Sequence, residues 1–228
     1  AGGKADLENV TDLTPCHTLR AGSMSKTFTS AAIFILQDEG VLSIEDKISM
    51  YIPSNITDNI ENANEVTIKQ ILGMTSGIRD YHGLKSVLGI LNLSNIRLSA
   101  EENLKAIYGK AANFSPGEDI LYTNSNYLLA ALVIKYACGK TANEVVQEKI
   151  IDHLGLSNTY VSTALPNNLS RSYLDYYGNG YMKDVTEIDN NAVGGEDMLD
   201  GGIISSSYDL SKFFELLMHG NILSESSL

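Results

Sequence analysis

The chain has 228 residues, 43% hydrophobic and 19% charged, long enough for one large domain with a substantial buried core. Its net charge is −12, from 16 Lys and Arg against 28 Asp and Glu, and the acidic residues are spread rather than gathered in a tail. That balance argues against nucleic acid and anionic membrane surfaces as partners, since both call for a basic face.

In chain order, residues 1–20 read as strand ends and loop, closing at Thr14-Pro15. Residues 23–39 predict the first helix, with Phe28, Ala31, Ala32, Ile35 and Leu36 as its buried face and Gly40 as its stop. Ile44 to Ile52 reads as mixed, with one short helix ended by Pro53. Residues 54–64 are rich in Asn and Asp and predict a surface loop. Val66 to Leu72 predicts a short helix capped by Thr67, running into the turn Gly73-Met74-Thr75-Ser76-Gly77. Ser99-Ala100-Glu101-Glu102 and Thr141-Ala142-Asn143-Glu144 are capping boxes, opening helices to about Lys110 and His153. Between them, after the turn Ser115-Pro116-Gly117, Leu121 to Tyr127 opens an apolar helix through Ala137, stopped at Gly139. Residues 157–200 show little regular pattern and predict a long loop with packed tyrosines at 173, 176, 177 and 181, placed for a site rim. Residues 201–205 predict a short strand, and Ser206-Ser207-Tyr208-Asp209 caps a final helix to His219. Strand signals lie only near the two ends.

The longest apolar runs, Ala31–Leu36 and Leu128–Ile134, are far too short to span a membrane. The two cysteines, Cys16 and Cys138, make no framework, and the four histidines are scattered. The expectation is therefore no metal and no cofactor.

Chemistry gathers first at Ser23-Met24-Ser25-Lys26. Three helical residues advance about 300° and rise about 4.5 Å, so Ser23 and Lys26 share one face. A first-turn serine also sits at the positive end of the helix dipole. A nucleophilic hydroxyl needs a nearby base and a positive field, and this stretch offers both. Taken alone, the same residues also fit a capping serine and a surface lysine. Tyr122 and Asn124 likewise fit a core tyrosine and a capping asparagine.

Four stretches in order change that balance: Leu19-Arg20-Ala21-Gly22-Ser23-Met24-Ser25-Lys26-Thr27-Phe28; Val66 to Leu72 with Thr75-Ser76-Gly77; Phe114-Ser115-Pro116-Gly117 with Tyr122-Thr123-Asn124; and Asp200-Gly201-Gly202-Ile203-Ile204-Ser205-Ser206-Ser207-Tyr208-Asp209-Leu210. Together they resemble the serine β-lactamase/penicillin-binding-protein superfamily. Within it, the likeness is to the branch of class C β-lactamases, D-alanyl-D-alanine carboxypeptidases and related esterases. Class A relatives carry S-D-N as their second motif; here Tyr122-Thr123-Asn124 stands instead, and Leu19 and Met74 replace the family's frequent Phe and His.

The resemblance implies an α+β fold: an antiparallel sheet flanked by helices plus a mostly helical subdomain. Residues 1–228 would form one incomplete catalytic domain, with 1–40 and 200–228 on the sheet side and 45–195 in the helical subdomain. Its third motif, K-T-G or H-x-G, is expected beyond Leu228, and further strands ahead of residue 1. The implied activity is a serine hydrolase acting through an acyl-enzyme on a D-Ala-D-Ala-like peptide or β-lactam. The alternatives are a small-ester hydrolase and a non-catalytic penicillin-binding-like module. The resemblance assigns Ser23 as nucleophile, Lys26 as base, Tyr122 as second acid/base and Asn124 as the amide holding Lys26 and substrate. The implied partner is a small-molecule or peptide substrate, and the implied compartment is periplasmic or extracellular.

Overall fold

The computed structural model describes residues 2–82, 96–161, 165–175 and 177–228. Its architecture is α+β. A hairpin of β1 (Lys4–Asp6) and β2 (Thr11–Asp12) opens the chain. β3 (Leu19–Arg20) follows, and a 3-10 turn at Gly22–Met24 feeds directly into α1 (Ser25–Asp38). α2 (Ser54–Thr57), α3 (Ile68–Leu72), α4 (Ala100–Leu104), α5 (Ser125–Cys138) and α6 (Ala142–Val146) make up the helical middle, α6 continuing as a π-helical stretch at Gln147–Asp152. A second hairpin pairs β4 (Tyr173–Asp175) with β5 (Met182–Asp184). α7 (Thr186–Val193), β6 (Ile204–Ser205) and α8 (Ser207–Met218) complete the described elements.

Caps set the helix ends. Thr67 with Gln70, Ser99 with Glu102 and Thr141 with Glu144 form full reciprocal capping boxes, each satisfying two otherwise unpaired N–H groups. Gly40 and Gly139 follow their helices in left-handed conformation, at φ +72° and +66°. The Ser99 helix is shorter than its periodicity suggests, tightening to a 3-10 turn over Lys105–Ile107.

The core is built on α5, whose residues Leu128 to Ile134 are all fully buried. A helix that is apolar all round belongs in the centre of a domain. α1, α3, α4 and α6 pack against it. On α1, Phe28 stacks on Phe213 of α8, with ring centroids 3.8 Å apart.

Two expectations are corrected. Residues 54–64 are not simply a surface loop: Ile56, Ile60 and Ala63 are buried under a turn of helix, and Asn55, Asp58, Asn59 and Asn64 occupy the outer side. Residues 157–200 hold a hairpin and a helix rather than one long loop, so strands are not confined to the ends. Both elements are short and polar, which mutes their periodicity. Tyr173 is tied down, its hydroxyl accepting from Leu7 N at 2.8 Å, while Tyr177 and Tyr181 are largely exposed. Tyr176 lies outside the described residues.

Two connections place the chemistry. β3 pairs antiparallel with β6, Leu19 opposite Ser205 and Arg20 opposite Ile204. This pairing brings the start of α1 against residues 199–203. Ala21 N donates to Ile203 O at 2.9 Å, Ile203 N to Ser25 Oγ at 3.1 Å, and Thr29 Oγ1 to Leu199 O at 2.9 Å.

The Thr75-Ser76-Gly77 turn in turn carries the segment that leads to Tyr122. Gly117 N donates to Thr75 O, Asn113 N to Gly77 O and Leu121 N to Met74 O, at 2.8–3.0 Å. Asn62 Nδ2 bridges Ser76 O and Phe114 O, at 2.9 Å each. Gly77 sits at φ +70°, and a Cβ there would lie 1.9 Å from Phe114 O. Gly77→Ala is therefore expected to cost about 2–4 kcal/mol through left-handed strain and overpacking. Urea denaturation of the variant against the parent protein checks this.

Candidate active site

The four residues singled out from sequence meet at one point. Ser23 Oγ lies 2.7 Å from Tyr122 Oη. Lys26 Nζ donates to three oxygens: Asp200 O at 2.6 Å, Asn124 Oδ1 at 2.8 Å and Ser23 Oγ at 3.3 Å. Lys26 is only 6% exposed, so it is not a surface lysine. Tyr122 is 53% exposed, so it is not a core tyrosine. Asn124 stands at the N-cap of α5, but its side chain caps nothing and turns to Lys26 instead. Ser23 spends its hydroxyl on Tyr122 and Lys26.

Local sequence explains the placement. Gly22 takes φ +54°, and the 3-10 turn that follows projects Ser23 ahead of α1. Lys26 falls one turn later, on the side of α1 that faces α5. Tyr122 and Asn124 precede α5, two residues apart in a segment held by the Thr75–Gly77 turn. The Lys26 head also lies against two aromatic rings, 5.0 Å from the Tyr122 centroid and 5.7 Å from that of Tyr127. Tyr127 Oη donates to Leu72 O at 3.2 Å and lies 3.0 Å from Ser30 Oγ. Burial raises the pKa of this phenol.

Four neighbours have no role in the sequence reading, although Asp200 opens its fourth stretch. Asp80 accepts from Asn124, Tyr127 lines Lys26, and Tyr81 Oη donates to Asp200 Oδ2 at 2.8 Å. Asp200 supplies its carbonyl to Lys26 and buries its carboxyl, whose Oδ1 has no partner among the described residues. Their signals were positional: Asp80 and Tyr81 come directly after the Thr75–Ile78 turn, Asp200 opens the Gly-Gly segment, and Tyr127 is one helical turn past Asn124.

The buried cluster shifts its own titrations. Desolvation raises the Asp200 carboxyl, against the opposing pull of the Tyr81 hydrogen bond and the Lys26 charge. The Tyr81 phenol is raised by its burial and by facing Asp200. Among the described residues no group of three His, Cys, Asp or Glu is placed to hold a metal ion. A cavity of about 770 Å³ beside Asp6, His17, Arg171 and Asp184 is lined by none of the four site residues.

Chemically, the arrangement is a hydroxyl flanked by an amine and a phenol. Such a set can move a proton off an attacking oxygen and onto a leaving group.

The chain matches the Beta-lactamase family over residues 1–228. It belongs to that family. It is 26% identical over 239 residues to penicillin-binding protein 4* of Bacillus subtilis, covering 99% of this chain and 50% of that protein. It is 31% identical over 170 residues to protein flp of Staphylococcus aureus (strain N315), covering 74% of this chain and 32% of that protein. The chain thus spans between about a third and half the length of these relatives. Among solved structures, a D-stereospecific amidohydrolase from Streptomyces superposes with a TM-score of 0.83 at 28% identity, over 92% of this chain and 64% of that one. The β-lactamase/transpeptidase-like α+β fold follows from these matches.

In this Beta-lactamase-family chain the Asp200 carboxyl is a stability sensor. Its proton is held more tightly in the folded protein than in the unfolded chain. Between the ordinary value of 3.8 and the raised native value, folding therefore takes up a proton, and stability falls as pH rises. Asp200→Asn removes this dependence. The parent protein is expected to gain stability relative to the variant as pH is lowered from 7 towards 4, as read by urea unfolding at each pH.

Proposed function

We propose that this protein is a serine hydrolase that works through an acyl-enzyme on Ser23. The observation that carries the reading is the single contact set around Lys26 Nζ, which bridges Ser23 Oγ and Asn124 Oδ1 while Tyr122 Oη lies 2.7 Å from the same Ser23 oxygen. Ser23 attacks the substrate carbonyl and passes its proton to the Lys26–Tyr122 pair. The tetrahedral intermediate collapses as Tyr122 protonates the departing group, leaving the acyl chain on Ser23. Water then attacks that ester, with the same pair taking its proton, and frees the serine. Half-exposed Tyr122 faces the incoming and departing groups, whereas Lys26 works from behind. Asn124 holds the lysine through its amide oxygen. The oxyanion is stabilised in part by the Ser23 backbone N–H at the start of the helix.

The substrate class best supported is an amide bond next to a D-configured residue, as in a D-Ala-D-Ala-like peptide, or its cyclic counterpart in a β-lactam. The kinship with penicillin-binding proteins and with a D-stereospecific amidohydrolase supports this class.

The test is covalent labelling with a fluorescent β-lactam or a fluorophosphonate. The expected result is a stoichiometric adduct that Ser23→Ala abolishes. Lys26→Met and Tyr122→Phe are expected to slow labelling by about 10²-fold or more. An adduct that survives Ser23→Ala, or none at all on the folded protein, overturns the reading. A D-Ala-D-Ala peptide, a chromogenic cephalosporin and p-nitrophenyl esters, compared by kcat/KM, separate the substrate classes.

A further inference from the structure

Asn124 holds Lys26 only if its amide is turned the right way. A lysine head has donors and no acceptor, so it needs the amide oxygen. The side of Asn124 away from Lys26 meets Asp80. Asp80 Oδ2 accepts from Asn124 Nδ2 at 3.2 Å, and Asp80 Oδ1 accepts from Asn124 backbone N at 3.0 Å. An ionised carboxylate only accepts, so it needs the amide nitrogen. The two neighbours therefore demand the same orientation from opposite sides.

Asp80 is itself held. Its Oδ1 also accepts from His82 N at 3.2 Å, an Asx turn within its own loop. The next residue ties that loop to the helix: Tyr81 N donates to Ser125 Oγ at 2.8 Å. The carboxylate lies at the N-terminus of the 14-residue α5, where a negative charge is favoured.

We propose that Asp80 is a positioning residue, a two-point clamp that fixes the amide polarity of Asn124 and so keeps an oxygen, not a nitrogen, against Lys26. The inference rests on the acyl-enzyme reading for its activity arm. With Asp80 gone, a flipped amide would set donors against the lysine and release it from the serine. Asp80 touches neither Ser23 nor the substrate in this role, and its effect passes through Asn124 alone.

The nearly isosteric D80N variant tests it, because an amide at position 80 cannot accept at both points. The reciprocal double variant D80N/N124D exchanges acid and amide. Its amide nitrogen can donate to the new carboxylate, its amide oxygen can take the position-124 backbone N–H, and the second carboxylate oxygen can face Lys26. Each hydrogen bond of the clamp is then restored, with only the bond between the two side chains reversed in direction. The full chain is used throughout, with p-nitrophenyl butyrate as acyl donor and melting temperature as the fold control.

Three results are expected. D80N lowers kcat by about 10²-fold while KM changes little. Hydrogen exchange at the Asn124 backbone and side-chain amides, followed by 15N NMR, quickens by about tenfold, the loss of one charged hydrogen bond. The double variant recovers activity relative to N124D alone. The proposal is overturned if D80N acylates at the parent rate, if Asn124 exchange is unchanged, or if the double variant is no better than N124D. A parent protein that forms no acyl-enzyme overturns the hydrolase reading instead, and the exchange measurement then decides the clamp alone. If D80N does not fold, the double variant decides: a folded double variant supports the clamp, and an unfolded one overturns it.

Discussion

A lysine side chain, buried to within a few per cent and in direct contact with no carboxylate among the described residues, is the constraint on which the site depends. Taking a cation out of water is costly unless polar partners replace the lost hydration. Lys26 finds them in one backbone carbonyl, one amide oxygen and one hydroxyl, with two aromatic rings against it. Each acceptor comes from a different part of the chain. The carbonyl belongs to the segment entering β6, the amide to the start of α5, and the hydroxyl to the turn before α1. None can move far without leaving the lysine underpaired. The lysine thus acts as a gauge of whether three separate segments are in register.

The fold supplies that register by cheap local means. Two residues of strand pairing, β3 on β6, and three hydrogen bonds to residues 199–203, two from α1 and one from Ala21 just before it, fix the carbonyl. A glycine turn stitched to Phe114, Gly117 and Leu121 fixes the approach to Tyr122. α5 fixes the rest because its residues 125–134 are all buried, so that its first turn cannot rotate without exposing core. The polar apparatus stands where apolar helix ends and backbone begins, which is where unpaired N–H and C=O groups are available to orient it.

Much of this was legible in sequence because the relevant signals are local. Capping boxes at Thr67, Ser99 and Thr141, the glycine stops after α1 and α5, and the S-x-x-K spacing each depend on a handful of neighbouring residues. The tertiary meeting of Ser23, Lys26, Tyr122 and Asn124 was legible only through four motifs read together, since nothing in either half points at the other. What stayed hidden has a physical reason. Residues 173–193 form short polar elements with almost no apolar periodicity, and residues 54–64 bury three apolar side chains among many Asn and Asp. Asp80 looks like any other acid of an acidic protein, and Asp200, though it opens the fourth stretch, shows no role there. Their contacts are with residues distant in sequence, Asn124 for Asp80 and Lys26 and Tyr81 for Asp200, and a linear sequence does not display that.

The distances along the chain bear on how the protein comes into being. Ser23 bonds to a residue 99 positions away and Lys26 to one 174 positions away. Contacts of such separation close long loops and form late relative to the local helices. A chain partly unravelled keeps Lys26 one turn from Ser23 but holds both apart from Tyr122, Asn124 and Asp200. The four side chains therefore gather only once segments far apart in sequence have docked on one another.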